Sequence, residues 1–255
     1  MREVTQEQVA GCLKSLGVEE GDGLLVHSAV QFLGRPTGGL GMYLDAIQAV
    51  IGPRGTVVVP TFNFAFTCGK PYDPLHTPSA GMGAFSEYVR QHPQACRTMH
   101  PMQSVAVVGF HAEDLASRDT LSAFDPGSAF ERMLELDFKL LLLGADSRAV
   151  SMFHYCEQLA EVPYRYWKDF TGNVQTTQGW QTRTYRLFVR YLDPQPQLTL
   201  DPVVADMQAR REWVSCPLNY GQVTVCRLKD FVAVAGRLLA EDPWCVVTNR
   251  AAFAR

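Results

Sequence analysis

Leu24-Leu25-Val26-His27-Ser28 is followed by a glycine-rich stretch from Gly34 to Gly41. Met42 to Ile51 comes next, then Gly52-Pro53-Arg54-Gly55, then Thr56-Val57-Val58-Val59-Pro60. The outer two segments are short apolar runs bounded by turn residues, the pattern of strands buried on both faces. Between them Leu44, Ile47 and Ile51 form one stripe at helical spacing. Strand, loop, helix and strand in that order read as a parallel βαβ unit, which places the chain in the α/β class.

The rest of the chain extends this pattern. Upstream, Thr5-Gln6-Glu7-Gln8 is a capping box, and Val9, Leu13 and Leu16 continue a helix that Gly17 ends. Downstream, strands are predicted at Val105 to Val108 and Phe138 to Leu143, and helices at Gly83 to His92 and Met152 to Ala160. Beyond Pro163, Thr182 to Leu192 alternates like a strand, Val223-Thr224-Val225 is a further strand, and Phe231 to Ala240 is an amphipathic helix. A boundary near residue 165 has no linker to mark it. The expectation is one domain over 1–255, with 165–255 as a candidate subdomain. Residues 63–82 are irregular and rich in aromatics, Pro and Gly. A connection of that length in a compact domain points to function.

Composition narrows the classes. Of 255 residues, 47% are hydrophobic and 19% charged, which is ordinary globular usage. A net charge of −3 provides no general attraction to nucleic acid or anionic lipid, so neither is expected as a partner. No apolar run reaches the roughly 18 residues of a membrane span, and Met1 to Leu16 lacks the apolar core of a signal peptide. The seven cysteines are odd in number and form no CxxC pair, which reads as free thiols in a reducing, cytoplasmic setting.

Three constellations can carry chemistry. The glycines at 34, 38, 39 and 41 allow close backbone approach to a ligand, but their spacing is neither that of a dinucleotide loop nor that of a P-loop. Arg97-Thr98-Met99-His100-Pro101-Met102-Gln103-Ser104 offers a cation, two hydroxyls and an imidazole. Gly144-Ala145-Asp146 precedes Ser151 to Glu157, where His154 and Glu157 stand three apart and share a helix face. A carboxylate beside an imidazole orients the ring and stabilises its protonated form, as a general base requires. Asp146 is a second candidate partner for His154. No complementary HxxE or HxxxH helix completes a metal site, so no metal is expected. There is no GxSxG elbow for a serine hydrolase, and Cys156 is turned about 100° away from its neighbour Glu157 on the helix.

In order, Val26-His27-Ser28, Gly38-Gly39, Gly52 to Thr56, Pro60-Thr61-Phe62, Tyr72-Asp73-Pro74, Thr77-Pro78-Ser79, Met82-Gly83, Arg97-Thr98, His100-Pro101, Ser104, Leu142-Leu143-Gly144, His154 and Glu157 resemble the aminoglycoside N3-acetyltransferase family, also called antibiotic N-acetyltransferases. The resemblance implies a three-layer α/β/α fold with a mostly parallel central sheet and a small C-terminal β-containing part. It implies direct transfer from acetyl-CoA to an amine, with His154 as base and Glu157 or Asp146 as its partner. By the same resemblance His27, Ser28, Ala29, Leu33, Gly38 and Gly39 would cradle CoA, and a hydroxyl of Thr98, Ser104 or Ser28 would stand near the thioester. Tyr72, Asp73, His100 and Tyr164 would meet the acceptor, a small-molecule amine on an aminoglycoside or a nucleotide-linked amino sugar. A homodimer is the candidate assembly. Two features depart from the family: Ala29 replaces a second serine, and Pro163 to Phe170 is similar to members that modify amino sugars for surface polysaccharides. Ala29 and the altered part after residue 163 together motivate the rival reading, a non-catalytic CoA- or sugar-binding protein of the same fold.

Overall fold

The structure is a computed structural model and describes residues 2–253. In chain order the elements are β1 (Glu3–Val4), α1 (Gln6–Ser15), β2 (Gly23–Ser28), β3 (Arg35–Pro36), α2 (Gly41–Ile51), β4 (Thr56–Pro60), α3 (Ala84–Arg90), β5 (Cys96–Arg97), β6 (Val105–Gly109), α4 (Ala112–Ala116) and α5 (Ala129–Glu135). They continue with β7 (Lys139–Leu143), α6 (Met152–Leu159), β8 (Arg165–Thr176), β9 (Gly179–Arg190), α7 (Asp201–Ala209), β10 (Val214–Leu218), β11 (Gly221–Arg227) and α8 (Leu228–Glu241).

Seven strands form the central sheet in the order β10-β11-β7-β2-β4-β6-β5. The three in the middle, β7, β2 and β4, run parallel, as the βαβ pattern requires. Both flanks are antiparallel: β11 and β10 on one side, β6 and β5 on the other. The sheet is therefore mixed, with its parallel character confined to the centre. Each flank ends in a hairpin, β5–β6 on one side and β10–β11 on the other, whose strands are antiparallel across a short connection.

Alternation along the strands sorts two hydrophobic layers. Leu24, Val26, Val57, Val59, Leu141 and Leu143 face α1, α2 and α3. Leu25, Val58, Leu140 and Leu142 face the other way, into a layer with residues of α4 to α8. This is the three-layer α/β/α arrangement. The capping box at Thr5 forms with both bonds in place.

Segments the sequence left unread are those whose burial is set from outside. Strand β8 has half of its residues exposed and carries no apolar alternation. It exists because all twelve of its residues pair with β9. The hairpin docks on the long loop through Tyr72, whose amide donates to Asn173 O at 2.9 Å, while Gln175 N donates to Tyr72 O at 2.8 Å.

Candidate active site

The carboxyl ends of the three parallel strands converge on one place, the usual position for a ligand in an open α/β sheet. Strand β2 ends at Ser28, β4 runs on through Pro60 to Phe64, and β7 runs through Gly144 into α6. The turn at Gly144 has φ of +75°, and a Cβ there would lie 2.7 Å from Ala29 O, so only glycine lets α6 start this close to β2.

Two cavities meet at His154. One, of about 440 Å³, is lined by His27, Ser28, Gly81, Met82, Gly83 and Ser151 among others. The other, of about 630 Å³, lies under the β8–β9 hairpin and is lined by Gln103, Arg165, Lys168, Phe188 and neighbours. His154, Phe64 and Arg190 line both.

The imidazole is held from below. Its Nδ1 lies 2.8 Å from Glu157 Oε2, and Arg165 Nη2 donates to the same oxygen at 2.7 Å. Arg165 Nη2 also approaches His154 Nδ1 at 3.2 Å. An anion at 2.8 Å outweighs a cation at 3.2 Å, so the ring proton sits on Nδ1 and Nε2 carries the lone pair. Nε2 has no protein partner among the described residues. Glu157 is fully buried and Arg165 nearly so, while about 26% of the His154 side-chain surface stays open. Burial lowers the His154 pKa below its ordinary value and the Glu157 contact raises it, with Arg165 adding to the lowering. Glu157 stays ionised because Arg165 and His154 overcome its burial. His154 is thus neutral at neutral pH and able to accept a proton.

His27 sits behind the pair. Its Nε2 accepts from Ser151 N at 3.0 Å and lies 2.9 Å from Ser151 Oγ. Burial holds its pKa down at about 3, so it is a neutral strut under the start of α6. The Ser28 hydroxyl is buried in the same cavity with no hydrogen-bond partner.

The profile of the aminoglycoside 3-N-acetyltransferase family matches residues 25–240. The chain belongs to that family. An aminoglycoside N(3)-acetyltransferase III of Salmonella sp is 33% identical over 181 residues, covering 64% of this chain and 63% of the relative. The chain therefore matches less than two thirds of that relative's length. Among solved structures, AAC-IIIb as a binary complex with CoASH superposes with a TM-score of 0.84 at 24% identity, covering 94% of this chain and 97% of the other. The aminoglycoside acetyltransferase AAC(3)-IVa apoenzyme superposes with a TM-score of 0.80 at 26% identity, covering 99% and 94%.

Against this family background, the residues expected from sequence divide sharply. His154, His27 and Ser28 line the cavities, and Glu157 supports His154. Asp146 does not join them. It is about half exposed, bonded to Arg148 at 2.6 Å, and makes no hydrogen bond to His154. Ala29, expected among the residues that cradle CoA, has its amide donating to Leu143 O at 3.0 Å. Leu33 is a fully buried core side chain. Gly38 and Gly39 are open to solvent and line neither cavity.

Within the Arg97–Ser104 stretch, Gln103 lines the cavity under the hairpin, whereas Arg97, Thr98, His100 and Ser104 are engaged in internal hydrogen bonds. Thr98 Oγ1 accepts from Val105 N at 2.9 Å. Ser104 Oγ donates to Thr61 O at 3.1 Å and accepts from Arg97 Nε at 3.1 Å. Arg97 then reaches the carbonyls of Thr61, Pro74 and Thr77, pinning the long loop. Tyr72 donates its hydroxyl to Thr98 O at 3.0 Å, and Asp73 accepts from Leu75 N at 2.9 Å. His100 is buried and accepts from Gln103 N at 3.0 Å through Nδ1. Tyr164 is fully buried with its ring 5.7 Å from that of Trp244. None of Tyr72, Asp73, His100 and Tyr164 lines either large cavity, although the ends of the loop do, through Phe64 and Gly81 to Gly83.

Sequence reading missed Arg165 and Arg190. Both belong to the hairpin, and nothing local marks them, because their partners lie on other elements. Among the described residues no three His, Cys, Asp or Glu side chains are grouped to hold a metal, and no helix is long and apolar enough to cross a membrane.

Proposed function

We propose that this protein transfers an acetyl group from acetyl-CoA directly to the amine of an amino-sugar or aminoglycoside acceptor. The observation that carries this is His154, standing where two cavities meet with Nδ1 tied to Glu157 and Nε2 free. One cavity then takes the thioester and the other the acceptor. Family membership and the CoASH complex of the structural neighbour support CoA as the donor.

An ammonium has no lone pair and cannot attack a thioester. His154 Nε2 takes a proton from the amine as its nitrogen adds to the carbonyl carbon. The imidazolium is stabilised by Glu157, while Arg165 keeps that stabilisation moderate so the proton can be returned. The tetrahedral adduct collapses with cleavage of the C–S bond, and the imidazolium protonates the departing sulfur. Of the three hydroxyls considered for the thioester, Ser28 is favoured, because Thr98 and Ser104 are already committed and Ser28 is buried without a partner. An acyl-Cys156 route has no support: its Sγ is buried against Met152 O, and burial pushes the thiol well above its ordinary value. A non-catalytic binder is not favoured either, since Ala29 contributes only a backbone bond within the sheet.

The test is thiol release from acetyl-CoA with a panel of amines, alongside calorimetry with CoA. CoA binding with amine-dependent release supports the reading. No CoA binding at millimolar concentration, or binding with no release for any amine, overturns it.

A further inference from the structure

Two of the seven cysteines, Cys12 and Cys216, stand 204 positions apart in the chain and meet in the fold. Cys12 follows Val9 by three residues, so helical spacing puts both on the buried face of α1. Along β10, alternation separates Ser215, which bonds Thr224 on one face, from Cys216, which packs into the layer that α1, α2 and α3 cover. The two Sγ atoms are 2.6 Å apart. A disulfide bond is about 2.0 Å long, so a small approach joins them. Both are free thiols, and neither lines a cavity at His154. Cys12 is buried, and that burial, with Cys216 beside it, pushes its thiol up to about 12. Cys216 is half-buried, so a reagent in solvent meets it first. The contact sits at a corner of the molecule. Strand β10 is the edge of the sheet, and the turn that follows it holds the N-terminal segment, with Asn219 Nδ2 donating to Glu3 O at 3.0 Å and to Leu33 O at 2.7 Å.

We propose that Cys12 and Cys216 form a redox modification site, a reversible disulfide made by exchange with a small-molecule disulfide of the glutathione type, which fastens α1 to the edge strand and stabilises the fold. The Cys216 thiolate attacks one sulfur of the disulfide RSSR, its S–S bond breaks, and one RSH leaves. The Cys12 thiolate then attacks the Cys216 sulfur of the mixed disulfide, the protein S–S bond forms, and a second RSH leaves. The two cysteines lose two electrons, RSSR gains them, and both thiol protons end on the two RSH. In a reducing compartment the pair rests as two thiols. Once closed, the link spans 204 positions and restricts the unfolded chain, which raises stability without touching the His154 site.

The test incubates the reduced full chain with glutathione disulfide, blocks the remaining thiols, digests without reduction and maps joined peptides by mass spectrometry. The Cys12 and Cys216 peptides should be joined, and dithiothreitol should separate them. The thermal midpoint of the oxidised wild type should rise by about 5–10 °C. Cys12→Ser should carry glutathione on Cys216, and neither Cys12→Ser nor Cys216→Ser should show the joined peptides or the rise. If Cys12→Ser does not fold, Cys12→Ala serves in its place, and the peptide map of the wild type decides without any variant. The proposal is overturned if the wild type keeps both thiols or stops at the mixed disulfide. It is equally overturned if the cross-linked protein melts no higher than the reduced one, or if the rise persists in both serine variants and so comes from another cysteine.

Discussion

Two polar clusters lie close to the carboxyl edge of the sheet, and they differ in one respect. Around Arg97, the side-chain groups of Thr61, Thr98 and Ser104 all have partners, and the guanidinium is spent on loop carbonyls and hydroxyls. Around His154 the accounts stay open. Nε2 faces the cavities, and the Ser28 hydroxyl, Glu157 Oε1 and the Tyr164 hydroxyl lack partners. Buried polar groups are normally satisfied, so a cluster that leaves valences free beside a cavity is built for something other than its own stability. Saturation, more than residue type, separates framework from candidate chemistry here.

The largest effect should come from the open cluster. His154→Ala is expected to lower kcat by about 10²-fold or more, the usual yield of a general base, while calorimetric CoA affinity stays near wild type. Near-normal kcat in that variant, with kcat lost in His100→Ala, would reverse the roles of the two clusters.

Glu157→Gln should cost about 3 kcal/mol in urea unfolding, because it leaves the nearly buried Arg165 charge without its carboxylate. It should also shift the acidic limb of the pH–rate profile downward, since the carboxylate is what raises the His154 pKa. In the wild type that limb should already lie below pH 6.5, the ordinary histidine value. An unmoved limb in the variant would remove Glu157 as the partner.

The histidines also leave a mark on stability. Burial holds His27 at about 3 and His100 at about 4, below their ordinary 6.5. As pH falls through 6.5 the unfolded chain binds protons that the folded chain refuses. Stability is therefore present above 6.5 and is lost on acidification toward 4, each histidine contributing a slope of about 1.4 kcal/mol per pH unit. Chemical denaturation between pH 7 and 4 should show this, and His27→Asn should flatten the slope by about that amount. An unchanged slope would mean that His27 is protonated in the fold.

The smallest effects make the finest comparison. Ser104→Ala should lower stability by about 1–2 kcal/mol through its lost bonds and leave kcat within about twofold. Ser28→Ala should do the opposite, changing stability by less than about 0.5 kcal/mol and lowering kcat about tenfold. If both serines behave alike, saturation does not divide the two clusters.

Local signals were enough for the βαβ centre and for the His154–Glu157 pair. Leu24 to Ser28, the helical stripe of α2 and Thr56 to Pro60 each carry their own periodicity, and residues three apart on a helix meet wherever the helix is put. The antiparallel flanks, strand β8 and the second half of the site have no such local mark. Arg165 reaches Glu157 and Arg190 reaches the cavities only because the hairpin folds back over α6. Nothing in sequence distinguishes Ser28 from Ser104, since both are serines next to a strand end, and the helical spacing that pairs Glu157 with His154 does not by itself exclude Asp146. The tertiary structure decided between them by supplying partners: a main-chain carbonyl and Arg97 for Ser104, an exposed Arg148 for Asp146, a buried Arg165 for Glu157, and none for Ser28. Residue type and helical spacing are properties of the chain itself, whereas whether a donor or acceptor remains free depends on every segment that packs against it.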